Sequence, residues 1–328
     1  MEKSLEGMTN EELWRLFPII ICEHDPNWVR SYAAEKLKLE DAVGRSSIFR
    51  MNHYGSTSVP GLLAKPTVDV LLEIRDDTDT DKLISGMRSA GYIYSCQPGN
   101  PPPHMMFMKG YTPEGFRGQT YHVHVRYSGD WDELYFRDYL IQHPITAREY
   151  GALKMQLREK FEFDRDAYTA AKSDFIKDIT LLARAEMKGK YMPLEIEQCT
   201  GADLDLLADL NRQLIEDEKY DVRLSIEKLK ERMSGLLGNG YKAFLFKEHN
   251  EIRGYALVDF KRDPPYLRHY FICRDCRRLG YGTACLKKLL SVLDTDRLDI
   301  EVMFWNDRGY GFWKSFGFKE RSIYMRLG

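Results

Sequence analysis

The stretch Cys273-Arg-Asp-Cys-Arg-Arg-Leu-Gly-Tyr-Gly-Thr-Ala284 decides how the fold of this chain is read. Upstream lies the aromatic run Arg268-His-Tyr-Phe-Ile272 and downstream an apolar-periodic segment, so the order is strand, glycine turn, helix. Gly280 and Gly282 let a ligand approach the backbone without Cβ interference. The free N–H groups of the helix's first turn carry partial positive charge and face an anion such as a pyrophosphate. Arg277 and Arg278 add cations beside it.

Around this turn the second half of the chain reads as a strand (194–198), two helices (202–217 and 225–235) and three strands (241–247, 252–261 and 267–272). A helix (282–293), a strand (297–304), a short helix (309–316) and a last strand (322–327) complete it. The result is a mostly antiparallel sheet with one β-α-β unit at the glycine turn.

Arg277-x-x-Gly280-x-Gly282 resembles the acetyl-CoA signature of the GNAT N-acetyltransferases. Asn306-Asp-Arg-Gly-Tyr-Gly-Phe-Trp-Lys-Ser-Phe-Gly-Phe318 resembles that family's second block, an Asn followed by a short aromatic helix. The resemblance implies a cofactor, acetyl-CoA, and residues that bind it. Backbone groups of Ile272 and Cys273 would pair with the pantetheine arm, and the amides of Arg278, Gly280, Gly282 and Thr283, with Arg277, would hold the pyrophosphate. Asn306 would contact the cofactor near its reactive end. Where the family usually carries a tyrosine that protonates the leaving thiolate, this chain has Trp313, whose indole is no acid at neutral pH. Tyr310 and Tyr324 are the substitutes. His269, Asp259 and Glu301 are candidates for the base that receives the amine proton, His269 having the most suitable unperturbed pKa.

The first half opens with a helix (26–43) and continues through a strand (67–74), a helix (79–90), strands at 91–95, 105–109 and 120–126, and helices at 130–143, 145–161 and 164–188. The Pro-rich stretch 97–103 is an exposed excursion between strands. His53-Tyr-Gly-Ser-Thr-Ser-Val-Pro-Gly-Leu-Leu-Ala-Lys-Pro-Thr-Val-Asp69 resembles the GrpB family, a nucleotidyltransferase-like branch, as do Phe136-Arg-Asp-Tyr-Leu140, Tyr150-Gly-Ala-Leu-Lys154 and Tyr168-Thr-Ala-Ala-Lys-Ser-Asp-Phe175.

In polymerase-type nucleotidyltransferases a Gly-Ser turn holds triphosphate and an Asp-x-Asp strand helps bind two metal ions. Gly55, Ser56 and Asp69 match, but position 71 is Leu, and Glu73 lies ~13 Å further along the strand than Asp69. His122 and His124 project from one face of their strand. If that strand neighbours Asp69, a divalent metal site of Asp69, His122 and His124 forms; an anion-binding polar cluster is the competing reading. Lys65, Arg137, Lys154 and Lys172 supply cations for a nucleotide or phosphorylated ligand.

The chain has 328 residues, which at roughly 150 per domain suggests two domains. The basic segment 186–193, with Gly189 and Pro193, is the expected linker, giving domains at 1–188 and 193–328. The fold class expected is α/β (α+β), a nucleotidyltransferase-like domain followed by a GNAT acyl-CoA N-acyltransferase domain. A net charge of −2, with acids and bases intermixed, gives no global field for nucleic acid or membrane. No apolar run approaches ~20 residues and the polar start is unlike a signal peptide, so a cytoplasmic location is expected. Cys273-x-x-Cys276 lacks a second ligand pair and reads as reduced loop thiols.

The activity expected is that of an acyltransferase, acetylating an amine of a small molecule, with the first domain binding a nucleotide-like ligand. Nucleotidyl transfer by the first domain, or a sensor of two ligands without catalysis, are the alternatives. Glu216, Glu218, Asp221 and Asp263 give the acceptor mouth an acidic character attractive to a cationic amine.

Overall fold

The computed structural model describes residues 5–95, 103–218 and 224–322. The chain divides into two compact units, Met1–Tyr191 and Met192–Gly328.

The first unit is a five-stranded sheet in the order β1 (Ile48–Tyr54), β2 (Thr67–Ile74), β5 (Gly115–Tyr127), β4 (Met105–Thr112), β3 (Ile93–Ser95). β2 and β5 run parallel, and the other neighbours are antiparallel. Strand periodicity assigns the faces. Val68, Val70, Leu72 and Ile74 join Val123 and Val125 in a core under α2 (Asn27–Val43) and α3 (Thr80–Ser89), with Trp28, Leu39, Leu83 and Met87 from the helices. Each such side chain buried is worth about 1.5–3 kcal/mol. Leu71 points the other way, into a cluster with Leu134, Tyr135 and Ala183 from α4 (Asp132–Gln142) and α7 (Ser173–Glu186). The sheet is thus covered on both faces, and Asp69, His122 and His124 lie on the side of α4 and α7.

On that side α5 (Pro144–Phe161) and the short α6 (Arg165–Ala170) complete the layer. The helix expected over 164–188 is two helices. Asp164 caps α6 by accepting from Ala167 N at 2.9 Å, and the chain turns at Ala171 and Lys172 before α7. Two elements go beyond the sequence reading, strand β1 and helix α1 (Asn10–Leu16). The latter starts in a capping box between Thr9 and Glu12.

The second unit holds a sheet in sequential order, β6 (Glu195–Gln198), β7 (Tyr241–Glu248), β8 (Glu251–Asp259), β9 (Tyr266–Ile272) and β10 (Asp299–Ile300). All neighbours are antiparallel except β9 and β10, which are joined by the crossover helix α10 (Tyr281–Leu293). His249 and Asn250, both with positive φ, form the two-residue turn between β7 and β8. One sheet face packs on α10 and α11 (Asp307–Phe316), through Phe246, Ala256, Leu286 and Leu289. The other packs on α8 (Leu204–Asp217) and α9 (Ile226–Leu237), through Leu207, Leu214, Met233 and Tyr255.

The strand expected over 297–304 is two residues long, because the chain leaves the sheet at Glu301. The expected strand at 322–327 and most of the 97–103 loop lie outside the described residues. Among the described residues, no helix is long and apolar enough to cross a membrane.

Candidate functional site

In the second unit the β9–β10 ladder is two pairs long, Tyr266 with Asp299 and Leu267 with Ile300. Beyond it β9 continues to Ile272 paired with β8 alone, among the described residues. A sheet that splits in this way offers a free strand edge to an extended ligand. At its end Gly280 takes φ +100°, a conformation suited to glycine, and serves as N-cap of α10. The first helical bond of α10 is donated by Ala284 to Gly280 O at 3.1 Å. The amides of Gly282 and Thr283 therefore precede the helix's own hydrogen bonding, the arrangement that suits an anion at a helix N-terminus. Tyr270 Oη donates to Gly282 O at 2.5 Å, tying β9 to the first turn of α10.

The two arginines differ. Arg277 is anchored, its Nε donating to Ile272 O at 2.8 Å and its Nη2 to Asp217 at the end of α8. Arg278 is exposed, with φ +64°. The expectation that Arg277 serves the pyrophosphate is corrected, because its guanidinium holds a carbonyl of the open edge and an aspartate. Cys273 is corrected too. Its N–H donates to Arg253 O at 2.9 Å and its carbonyl accepts from Cys276 N at 3.0 Å, so its backbone is committed within the fold. Burial raises the Cys273 thiol to about 11 and raises that of Cys276, which keeps both protonated.

Asn306 caps α11, its Oδ1 accepting from Gly309 N at 2.8 Å. The aromatic face of α11 lies on β9: the Phe312 ring stacks on Tyr270 at 6.1 Å, and Trp313 meets Tyr270 at 5.3 Å and Phe318 at 5.1 Å. Trp313 thus fills the tyrosine's position as a packing residue. Tyr310 is on the exposed face of α11 with its hydroxyl held by Glu320, which raises its pKa; this removes it as a ready acid. Tyr324 lies outside the described residues.

His269 is a packed residue. Its Nδ1 lies 3.0 Å from Tyr255 Oη, and burial, followed by Arg268 and Arg232, pushes the imidazole down to about 3. That value removes it as a base at neutral pH. Asp259 is also buried, accepting from Lys261 N at 2.9 Å in the turn after β8. Glu301 is exposed where β10 ends and hydrogen-bonds the Tyr266 hydroxyl.

One carboxylate that the sequence placed only in an acidic mouth differs from these three candidates. Glu218, at the end of α8, has its pKa raised by burial and then by Asp217, and it acts electrostatically on the Tyr255 hydroxyl beside His269. Its backbone carbonyl accepts from Trp305 Nε1 at 2.9 Å. Glu216 and Asp263 are neutralised by Arg274 and Arg297, respectively, and Asp221 lies outside the described residues.

The first unit holds a second candidate site. β5 neighbours β2, and its register places His122 directly beside Asp69 and His124 beside Leu71. One ligand atom from each of Asp69, His122 and His124 lies within 4.8 Å of the others, and all three residues are half-buried. His122 Nδ1 is 3.5 Å from Asp69 Oδ1, and its Nε2 is 2.6 Å from Tyr111 Oη. His124 is pushed down to about 4 by burial, against the pull of Asp69. The turn after β1 fits closely against Asp69. Gly55 has φ +72°, and a Cβ there would stand 2.9 Å from Asp69 Cγ and closer still to Oδ2.

Lysines surround this point. Lys154 Nζ donates to Ser56 Oγ at 2.9 Å and to Leu63 O, and stands 4.6 Å from the Tyr150 ring centre. Lys65 and Lys172 share the ring of Tyr168, at 4.3 and 4.4 Å. All three feel the charge of Asp69. Burial lowers Lys65 and Lys154 to about 7 and Lys172 to about 8; Arg165 and Lys172 add to the effect on Lys65, and Lys172 and Lys65 to that on Lys154. Arg165 and Tyr168 contribute here although the sequence reading assigned neither a role. Tyr168 stands in one of the GrpB-like stretches, four residues before Lys172, which was a usable signal. Arg165 gave none, because its position depends on the break between α6 and α7.

Arg137 does not join the lysines. Its Nε donates to Asp138 at 2.8 Å, its Nη1 to His53 O at 2.8 Å and its Nη2 to Tyr191 Oη at 2.8 Å, so it braces the end of β1. Glu73 is fully buried and paired with Arg50, apart from the cluster.

Lysines lowered into the neutral range give a pH test. Anion binding favours the charged amines and draws protons onto them. Sulfate, whose own charge is constant here, is expected to bind more weakly as pH rises from 6 to 9, with proton uptake at pH 7.5 seen as buffer-dependent heat in calorimetry. Affinity independent of pH would contradict the lysine assignment.

Comparison with known proteins finds two family models along the chain. The family model described as GrpB protein matches residues 18–181, and that of the acetyltransferase (GNAT) family matches 205–318. A UPF0157 protein of Pseudomonas aeruginosa is 37% identical over 162 residues, 49% of this chain and 66% of that protein. The glutamate-rich protein GrpB of Alkalihalophilus pseudofirmus is 33% identical over 165 residues, 49% of this chain and 93% of that protein. A predicted acetyltransferase from Clostridium acetobutylicum, solved with acetyl-CoA, is 15% identical over 41% of this chain and 96% of its own, with a TM-score of 0.34. The chain is a two-domain fusion that belongs to the GrpB family through its first half and carries a GNAT acetyltransferase domain in its second.

Proposed function

We propose that the chain transfers an acetyl group from acetyl-CoA to an amine of a small molecule, using the second unit. The observation that carries this reading is the glycine turn at the end of a strand whose edge is freed by the departure of β10. The amides of Gly282 and Thr283, with Arg278, receive the pyrophosphate, and the edge at Ile272 receives the pantetheine arm once Arg277 yields its carbonyl. Asn306 remains the contact near the reactive end. The acceptor amine must lose a proton before or during attack, and Glu218, whose carboxyl is raised by burial, takes it directly or through water. The thiolate leaves as coenzyme A and is protonated from solvent, since neither Trp313 nor Tyr310 is placed to act.

The first unit binds a phosphorylated or nucleotide-like ligand through Ser56, Lys65, Lys154 and Lys172, beside a divalent metal at Asp69, His122 and His124. The clustering of three lysines around one carboxylate favours this reading over a solvated surface. Buried Leu71, where a second acid would stand, speaks against two-metal nucleotidyl transfer.

Incubating the full chain with acetyl-CoA and a panel of polyamines, aminoglycosides and amino acid amines tests the transfer. Amine-dependent release of coenzyme A, with a product heavier by one acetyl group, is expected, and Glu218→Gln should lower kcat about 10²-fold or more. Release of coenzyme A that no amine stimulates would oppose the proposal.

A further inference from the structure

We propose that Asp69, His122 and His124 hold a single transition-metal ion of the imidazole-preferring class, Zn²⁺, and that this metal and the neighbouring lysines share one phosphate group of the ligand. The inference rests on the phosphate-site reading above and specifies the metal, its number and the group it binds.

The donor set selects the metal. Mg²⁺ prefers oxygen ligands with near-ideal octahedral geometry, whereas two imidazoles and a carboxylate suit Zn²⁺ and its neighbours. Donors at about 2.0–2.2 Å from such a metal lie roughly 3–4 Å apart. Here they lie within 4.8 Å of one another, so small side-chain rotations close the site. Their positions come from the backbone ladder itself: Asp69 and His122 are cross-strand partners, and His124 follows two residues later on the same face.

The outer shell agrees. Tyr111 Oη engages His122 Nε2 at 2.6 Å, leaving Nδ1 turned to Asp69, and an outer partner of this kind fixes the ring of a ligating histidine. The Asp69 carboxylate sits against the bare Cα of Gly55, which holds the Gly-Ser turn at the metal position. The number follows from Leu71. It is fully buried among Leu134, Tyr135 and Ala183, and so leaves one metal position rather than two.

Three protein ligands leave coordination open, and the Asp69 and His122 side chains keep 26% and 16% of their surface. A phosphate oxygen fills the opening. The same phosphate reaches Ser56 and Lys154, which are linked to each other at 2.9 Å, while Lys65 and Lys172 over Tyr168 balance the remaining charge. The buried Tyr168 hydroxyl has no hydrogen-bond partner among the described residues, which marks a polar group at this place awaiting one.

The test uses the full chain, stripped of metal with chelator, and titrations of Zn²⁺, Mn²⁺, Mg²⁺ and inorganic phosphate. One equivalent of Zn²⁺ is expected, at least 10-fold tighter than Mn²⁺ or Mg²⁺. His122→Gln and His124→Gln should weaken it 10-fold or more, which also separates this site from binding by cysteines. Tyr111→Phe, which retains all three ligands, should weaken the metal and covers the case in which the histidine variants fail to fold. Phosphate should bind at least 10-fold tighter with metal present, and Lys154→Met should lose phosphate while keeping metal. Equal affinity for Mg²⁺, two equivalents of metal, or indifference to both histidines and Tyr111 overturns the inference. Phosphate binding that no metal enhances overturns it while leaving the phosphate site standing. Metal binding without any phosphate binding overturns the shared-phosphate claim together with the phosphate-site reading.

Discussion

Gly282→Trp is expected to abolish acetyl-CoA binding, with a loss of at least 100-fold in affinity, about 2.7 kcal/mol. Two effects combine. The side chain would cover the amides of the first turn of α10, where the pyrophosphate is expected. It would also meet Phe312, because even a Cβ at position 282 stands 3.3 Å from the Phe312 ring. Phe312 in turn stacks on Tyr270, so the change reaches β9. The first unit is a separate compact body, and its unfolding transition should stay in place. Calorimetric titration with acetyl-CoA and a thermal melt of the same variant read both outcomes, and undiminished affinity would place the cofactor elsewhere.

Gly55→Val should act as strongly on the first unit. The backbone there has φ +72°, which a β-branched residue adopts at a cost of roughly 1–2 kcal/mol. Its Cβ would lie 2.9 Å from Asp69 Cγ and would overlap Oδ2, so the carboxylate or the turn must move. Overpacking of this kind costs about 1–3 kcal/mol more. Metal and phosphate binding are both expected to fall at least 10-fold, and the unit should unfold several degrees earlier. A variant that binds inorganic phosphate and Zn²⁺ as the parent does would show that the Gly-Ser turn and Asp69 do not form one site.

Much of this was legible in the residues. The period-two runs at 67–74 and 120–126 located β2 and β5 and put His122 and His124 on one face, but only the register shows Asp69 beside His122. Chain order alone does not tell which strands become neighbours. The glycine turn was legible because its chemistry is local, whereas the ion pair from Arg277 to Asp217 joins residues 60 apart in sequence. His269 shows a different limit. Its side chain suggests a base, but its pKa depends on burial against Tyr255 and on two arginines. The converse holds for Glu218, an unremarkable acid in the sequence whose carboxyl is raised by its surroundings. Arg137 looked like the lysines until its three hydrogen bonds were placed. Strand β1 escaped because Asn52 and His53 interrupt its apolar pattern; its pairing with β2 forms it nonetheless.

On the proposed function, the split between β9 and β10 and the turn at Gly280 form an acetyl-CoA site. Calorimetric titration of the unaltered full chain with acetyl-CoA tests it most directly. One site per chain is expected, with a dissociation constant on the order of 1 µM to 1 mM, the range usual for enzyme substrates. That binding should be weakened by Arg278→Ala and lost in Gly282→Trp. No binding up to millimolar acetyl-CoA, or binding that neither substitution alters, would contradict it.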